Sequence, residues 1–323
     1  MPIRLEDALA ARRRIAPYLA PTPLRHYPAL DDEVGHGIRV LVKHENHLPT
    51  NAFKARNGLS FMTALPAAQR ARGVVAATRG NHGAGLAWAG QQLGVPVVIC
   101  VPHGNNPEKN AAIRGYGAEL VEAGRDYDEA VTVAQRLIDE RGLVMAHSTN
   151  DATIIAGAAT LSLELCEQAD QLDAIVVAVG GGSQAVGAIL AARALRPNVA
   201  VYGVQAQAAS AIHDSWHAKQ RLPTYATADT FADGLATRAT YDFTFDTLQS
   251  GLAGFVTVTE GELAEAVRML LRTTHNLAEG AGAAGLAGAL ALRAGLAGKT
   301  VAIILSGSNI DAATLRRIVT GEL

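Results

Sequence analysis

Three observations predict an α/β fold built on mainly parallel sheets. Short β-branched runs alternate with longer Ala-rich stretches along most of the 323 residues. Ala and Gly dominate a composition that is 49% hydrophobic but only 5% aromatic, which suits helices packed closely on sheets. The length favours two domains, or one split domain, over a single small one.

The elements follow in order. "IRVLVKHE" reads as the first strong strand, and "LPTN" after it forbids continuation as a helix. "GVVAAT" is a second strand, feeding a helix over residues 81–93. "VPVVICV" and "AELVEA" are two more, followed by a helix over 127–141. At "AHSTNDATIIAG" a strand signal gives way to polar turn residues, which marks a boundary before a long helix over 154–168. "AIVVAVG" precedes a helix over 187–194, and "VAVYGVQ" follows it. Residues 216–248 lack clear periodicity; Pro223, Gly234 and scattered threonines read as an ordered functional loop. "GFVTVT", a helix over 260–275 and "TVAIILS" complete the series. In such folds ligands sit beyond the carboxyl ends of the strands.

Charge and patterning exclude several classes. Twenty-eight basic and 30 acidic residues are mixed along the chain, for a net charge of −2, so no nucleic-acid partner is expected. No apolar run reaches the roughly 18 residues of a membrane helix, and the N-terminus lacks the apolar centre of a signal peptide. A cytoplasmic protein is expected. Cys100 and Cys166 share no CxxC spacing and read as buried thiols. His44, Glu45 and His47 invite a metal reading, but the spacing is i, i+3 at a strand end. Lys43 and Glu45 would share one face of that strand and His44 the other, so no metal site is expected.

The clearest chemical signal lies in residues 174–190, "AIVVAVGGGSQAVGAIL". A buried strand runs into Gly180, Gly181, Gly182 and Ser183 and then a helix, which makes an anion cradle best suited to phosphate. No Lys-Ser/Thr follows for a Walker loop. A dinucleotide fingerprint would need an acid where the next strand ends in Gln205, so a dehydrogenase is disfavoured and a smaller phosphorylated cofactor fits better. A second cluster, "ATRGNHGAGLAWAG", joins a strand to a helix; its amides over 79–83 and the Asn81 side chain suit a carboxylate. Glu279 sits in "AEGAGAAGLAGAL", and Ser306 ends the strand in "IILSGSNID". Lys54 sits in what reads as a loop ending in "NG". A lysine beside a phosphate cradle suggests pyridoxal 5′-phosphate held covalently, against the rival of a non-catalytic phosphate-binding protein.

The motif "KHENHLPTNAFKARNG" resembles the lysine motif of fold-type II pyridoxal-phosphate enzymes, the tryptophan synthase β family. Within that family the chain is similar to the threonine dehydratase and serine racemase branch, through "GNHGAGLAWA", "GGGS" and "LSGSN" in family order over residues 17–311. The resemblance implies two open, mostly parallel α/β domains with the cofactor in the cleft between them. It implies a large domain of residues 1–48 and 148–323 and a small one of 49–147. Lys54 would bond the cofactor and act as base. Phe53 would pack on its ring, with Asn81 at the ring oxygen and Ser306 at the pyridine nitrogen, and Glu279 would also bind the cofactor. Gly180, Gly181, Gly182 and Ser183 would hold the phosphate. Thr78, Arg79, Gly80, Asn81 and His82 would bind the substrate carboxylate. A serine at the pyridine nitrogen leaves it neutral, which favours elimination of a β-substituent over transamination. The expected reaction is β-elimination from a β-hydroxy α-amino acid, the leaving hydroxyl being protonated by the cofactor phosphate or Lys54, to give a 2-oxo acid and ammonia. Threonine, serine, 3-hydroxyaspartate and aryl-serines such as phenylserine are the candidates.

Departures from the branch are informative. Racemases carry a serine before "GN" as the second acid–base group, whereas this chain has Arg79, which stays protonated and disfavours racemisation. Arg79 is expected to bind the substrate carboxylate or a polar side chain, against the plainer reading of a surface ion pair. Gln205, Ala209 and Ala211 stand where members with a divalent ion carry acids, which leaves room only for a monovalent cation on carbonyls. Asn51 and Asn57 are expected to reshape the pocket, and residues 223–246, with Phe231, Asp233 and Tyr241, to cap the substrate side chain. The sequence stops soon after the serine motif, which suggests a catabolic enzyme without a regulatory domain. A homodimer is the default assembly.

Overall fold

The computed structural model describes residues 1–125 and 127–323. It holds two sheets. The larger has six strands in the order β1-β2-β10-β7-β8-β9: β1 (Leu24–His26), β2 (Arg39–His44), β7 (Ala174–Ala178), β8 (Ala200–Ala206), β9 (Gly254–Val258) and β10 (Thr300–Leu305). Only β1 runs antiparallel, against β2. The smaller is all parallel, in the order β5-β4-β3-β6: β3 (Val74–Ala77), β4 (Val97–Val101), β5 (Glu119–Glu122) and β6 (Val144–Met145). All eight strands expected from the β-branched runs are present. β1 was not expected and β6 was noted only as the strand signal before "AHSTNDATIIAG"; at three and two residues they are too short to show a period.

Helices fall where the Ala-rich stretches stood: Asn81–Leu93, Tyr127–Arg141, Ala152–Gln168, Ser183–Leu195 and Glu260–Thr274. The Ser183–Leu195 helix begins four residues before the expected start, because Gly182 takes a left-handed φ of 99° and ends the turn there. The central strands are buried along their whole length, as parallel strands covered on both faces must be.

One expectation needs correction. Lys54 does not lie in a loop: it is the first residue of the Lys54–Ala64 helix, and the "NG" pair of Asn57 and Gly58 is inside that helix. Gly58 is not a turn residue but a crossing point. An added Cβ there would meet the Gly85 carbonyl oxygen at 2.5 Å, and one at Gly85 would collide with the Lys54 carbonyl. A Cβ at Gly157 would meet the Arg56 carbonyl oxygen at 2.7 Å. The Lys54 helix is therefore clamped backbone to backbone between the 81–93 and 152–168 helices.

A buried ion cluster fixes the same helix from beneath. Arg56, 1% exposed, donates from Nε to Glu45 (2.7 Å) and from Nη1 to Glu164 (2.6 Å). Lys43 Nζ donates to Glu164 at 2.8 Å. Two cations and two carboxylates thus balance in the core, tying β2 to both helices. Lys43 and Glu45 do share this face. His44 takes the other, with Nδ1 and Nε2 on Asn46 and the Tyr27 hydroxyl, and burial lowers its pKa to about 4.

Candidate active site

The site grows from strand ends. β2 leads to Lys54, β3 to residues 78–82, β6 to residues 147–149, β7 to the glycine turn and β10 to Ser306. Lys54 is half-buried, and its Nζ makes one long contact, 3.4 Å to the Ser148 carbonyl. Desolvation lowers its pKa to about 8, so about a tenth of the amine is neutral at pH 7, far more than for an ordinary lysine. Its ammonium lies 5.0 Å from the Phe53 ring centroid.

A closed chain of contacts surrounds Lys54. From Ser148 the backbone passes to Thr149, whose hydroxyl side packs where a Cβ on Gly181 would be. Gly180 abuts the Gly234 carbonyl, and a Cβ on Gly234 would lie 2.8 Å from Ala281. The Ala281 carbonyl accepts from Ser306 Oγ at 3.4 Å, and the Ser306 carbonyl accepts from the Phe53 amide at 3.0 Å. Among the described residues, the amides of Gly180, Gly181, Gly182 and Ser183 donate to no group of the protein, although they open a helix and lie in a packed turn. That set of unspent donors suits a phosphate.

The opposite wall comes from residues 78–82. Asn81 Nδ2 donates to Glu279 at 2.6 Å, and its Oδ1 accepts from Asn309 at 2.7 Å. Glu279 is buried, and desolvation raises its pKa to about 7. Of the amides expected to face a carboxylate, that of Gly80 is already spent on Thr78 Oγ1 (3.1 Å), while those of Arg79, Asn81, His82 and Gly83 donate to no group among the described residues. The His82 ring is buried, with Nε2 on the Ala146 carbonyl at 2.9 Å and Nδ1 without a partner among the described residues. Arg79 is exposed and forms no hydrogen bond or ion pair among the described residues; the surface ion pair is absent.

Other residues land elsewhere. Asn57 is sealed in the helix interface with Gly157, and both its amide atoms are buried without partners among the described residues. Asn51 adopts φ 54° on the surface and reaches Asn309 at 3.4 Å. Gln205 is committed on both sides, to Thr237 (3.1 Å) and the His213 amide (2.9 Å). Within residues 223–246, Asp233 pairs with Lys109 (2.5 Å), Thr244 donates to the Gly181 carbonyl (2.8 Å), and the Tyr241 ring packs on His147.

The segment 147–149 and Lys109 were not singled out from sequence. The signal available was positional: residues 147–149 follow a parallel strand at its carboxyl end. "AHSTNDATIIAG" reads first as a boundary because β6 is only two residues long.

A family model described as pyridoxal-phosphate dependent enzyme matches residues 15–307. An L-threonine ammonia-lyase of Geobacter sulfurreducens is 39% identical over 284 residues, 88% of this chain and 70% of that protein. An L-threo-3-hydroxyaspartate ammonia-lyase of Saccharomyces cerevisiae is 32% identical, over 98% of this chain and 96% of that one. The solved structure of maize serine racemase superposes with a TM-score of 0.93 at 29% identity, covering 100% of this chain and 98% of the other.

Proposed function

We propose a reaction from the premise that this chain belongs to the family of pyridoxal-phosphate dependent enzymes: it removes the β-hydroxyl from a β-hydroxy α-amino acid, releasing a 2-oxo acid and ammonia. The observation that carries this reading is the ring of contacts that sets the Lys54 amine beside a turn with four unspent amides. Relatives named as ammonia-lyases of threonine and 3-hydroxyaspartate support the substrate class.

Each residue has a stated part. The amides of Gly180, Gly181, Gly182 and Ser183 hold the cofactor phosphate. Lys54 holds the cofactor, Phe53 flanks its ring, and Asn81, itself oriented by Glu279 and Asn309, fixes the ring oxygen. Ser306 presents a hydroxyl, not a carboxylate, to the ring nitrogen. The cofactor, when bound, supplies the electron sink that makes the Cα proton acidic. The free amides of residues 79–83, with Arg79, hold the substrate carboxylate. Lys54, neutral in part because burial depresses its basicity, takes the proton from Cα. The C–O bond at Cβ then breaks, and the Lys54 ammonium returns that proton to the departing oxygen, which leaves as water. In this reading these groups line a cleft between a small domain of residues 49–147 and a large one of 1–48 with 148–323. A homodimer is the assembly proposed.

Racemisation is the second reading, favoured by the likeness to maize serine racemase. Arg79 weighs against it, since a guanidinium does not exchange protons near neutral pH. The test is a panel of L-threonine, L-serine, L-threo-3-hydroxyaspartate and L-threo-phenylserine. Release of a 2-oxo acid with unreacted substrate recovered in its original Cα configuration supports elimination. Recovery of both Cα configurations without 2-oxo acid supports the racemase.

A further inference from the structure

The turn after β6 contains a donor with no partner among the described residues. His147 Nδ1 accepts two backbone N–H groups, from Thr149 at 3.0 Å and Asn150 at 2.8 Å. A nitrogen that accepts twice carries no proton, so the imidazole is fixed with its proton on Nε2. Among the described residues Nε2–H donates to nothing. The ring is half-buried and meets the Tyr241 ring edge-on, with centroids 6.0 Å apart. Desolvation lowers its pKa, the nearby Lys54 charge adds to this and Asp151 opposes it, so the ring stays neutral at pH 7.

Its neighbours define what it faces. The next residue, Ser148, touches the Lys54 amine, and Thr149 packs on Gly181. The phosphate side is taken by residues 180–183 and the carboxylate side by 79–83. With those two sides assigned in the proposed function, the side of Ser148, with the His147 ring next to it in the chain and the Tyr241 ring packed on that ring, is left for the substituent on Cβ.

We propose, on the basis of the β-elimination above, that His147 is the specificity-determining donor whose Nε2–H bonds the β-oxygen of the substrate. It donates without transferring its proton. It stabilises the charge that grows on the oxygen as the C–O bond breaks, while the proton that completes water comes from Lys54. Tyr241 closes over the ring and keeps water from competing for that donor.

The test compares His147→Asn and His147→Gln with the unaltered enzyme. Asparagine keeps a short acceptor for the two turn amides and loses the reach of Nε2. Glutamine restores a longer amide donor. With the fastest substrate of the panel above, His147→Asn is expected to lower kcat/KM by about 10-fold or more, with Tm and the visible absorbance of the loaded enzyme unchanged. His147→Gln recovers most of the loss. With 3-chloro-L-alanine, whose chloride leaves without needing a donor, His147→Asn changes the rate less than about 3-fold. Equal losses on hydroxy and chloro substrates, or none on either, would overturn the assignment. Failure of the unaltered enzyme to act on any β-hydroxy amino acid would overturn the proposed function itself, and this inference with it.

Discussion

Glu279 shows how a single buried side chain leaves a measurable mark. Burial lifts its pKa from 4.5 to about 7, opposed by the Lys109 ammonium and the Asn81 amide. A carboxyl raised on folding favours its protonated form in the native state. Its contribution is therefore present below pH 4.5 and is lost as pH rises toward 7. Glu279→Gln removes the dependence: the variant should match the unaltered protein in Tm at acidic pH and exceed it above about pH 7. Parallel Tm–pH curves would contradict this. Arg79 gives a second residue-scale prediction. A free guanidinium beside unspent amides should raise KM for the amino acid about 10-fold or more when changed to Ala, with a smaller effect on kcat. Unchanged kinetics would remove it from the carboxylate site.

Among the elements, the Lys54–Ala64 helix matters most. Gly85→Ala would push a methyl group into the Lys54 carbonyl and should cost about 1–3 kcal/mol, read as a lower urea midpoint. Arg56→Met would leave buried Glu45 without a hydrogen-bonded cation and Glu164 with Lys43 alone, and should cost about 3–5 kcal/mol; a loss under about 1 kcal/mol would show the cluster to be dispensable. The same helix marks the limit of reading sequence locally. "NG" ordinarily signals a turn, yet here a distant glycine, Gly85, needs Gly58 as its partner, and no short window of sequence contains both. The strands were legible because burial on both faces writes a continuous apolar run. β6 was marked only faintly, since two residues carry no period. His147 was hidden for the same reason: a polar turn after so short a strand looks like a linker.

At the scale of the molecule, five strand ends from two sheets converge on one amine. The glycine turn and Ser306 stand where the sequence put them, just past β7 and at the end of β10, whereas Lys54 opens a helix that the sequence did not announce. Their mutual arrangement was legible only through family resemblance. Contacts such as Asn81 to Glu279 and Asn309, or Lys109 to Asp233, span 124 residues or more and have no local signature. The residues that hold these groups apart, Gly234 and Thr149 among them, became visible only with the chain folded.

The direct test of the whole account is to load the protein with pyridoxal 5′-phosphate, trap the cofactor–lysine bond with borohydride, and map the adduct by peptide mass spectrometry. The chain has five lysines, at positions 43, 54, 109, 219 and 299. The account predicts a single adduct on Lys54. An adduct on another lysine, or one spread over several, would contradict it.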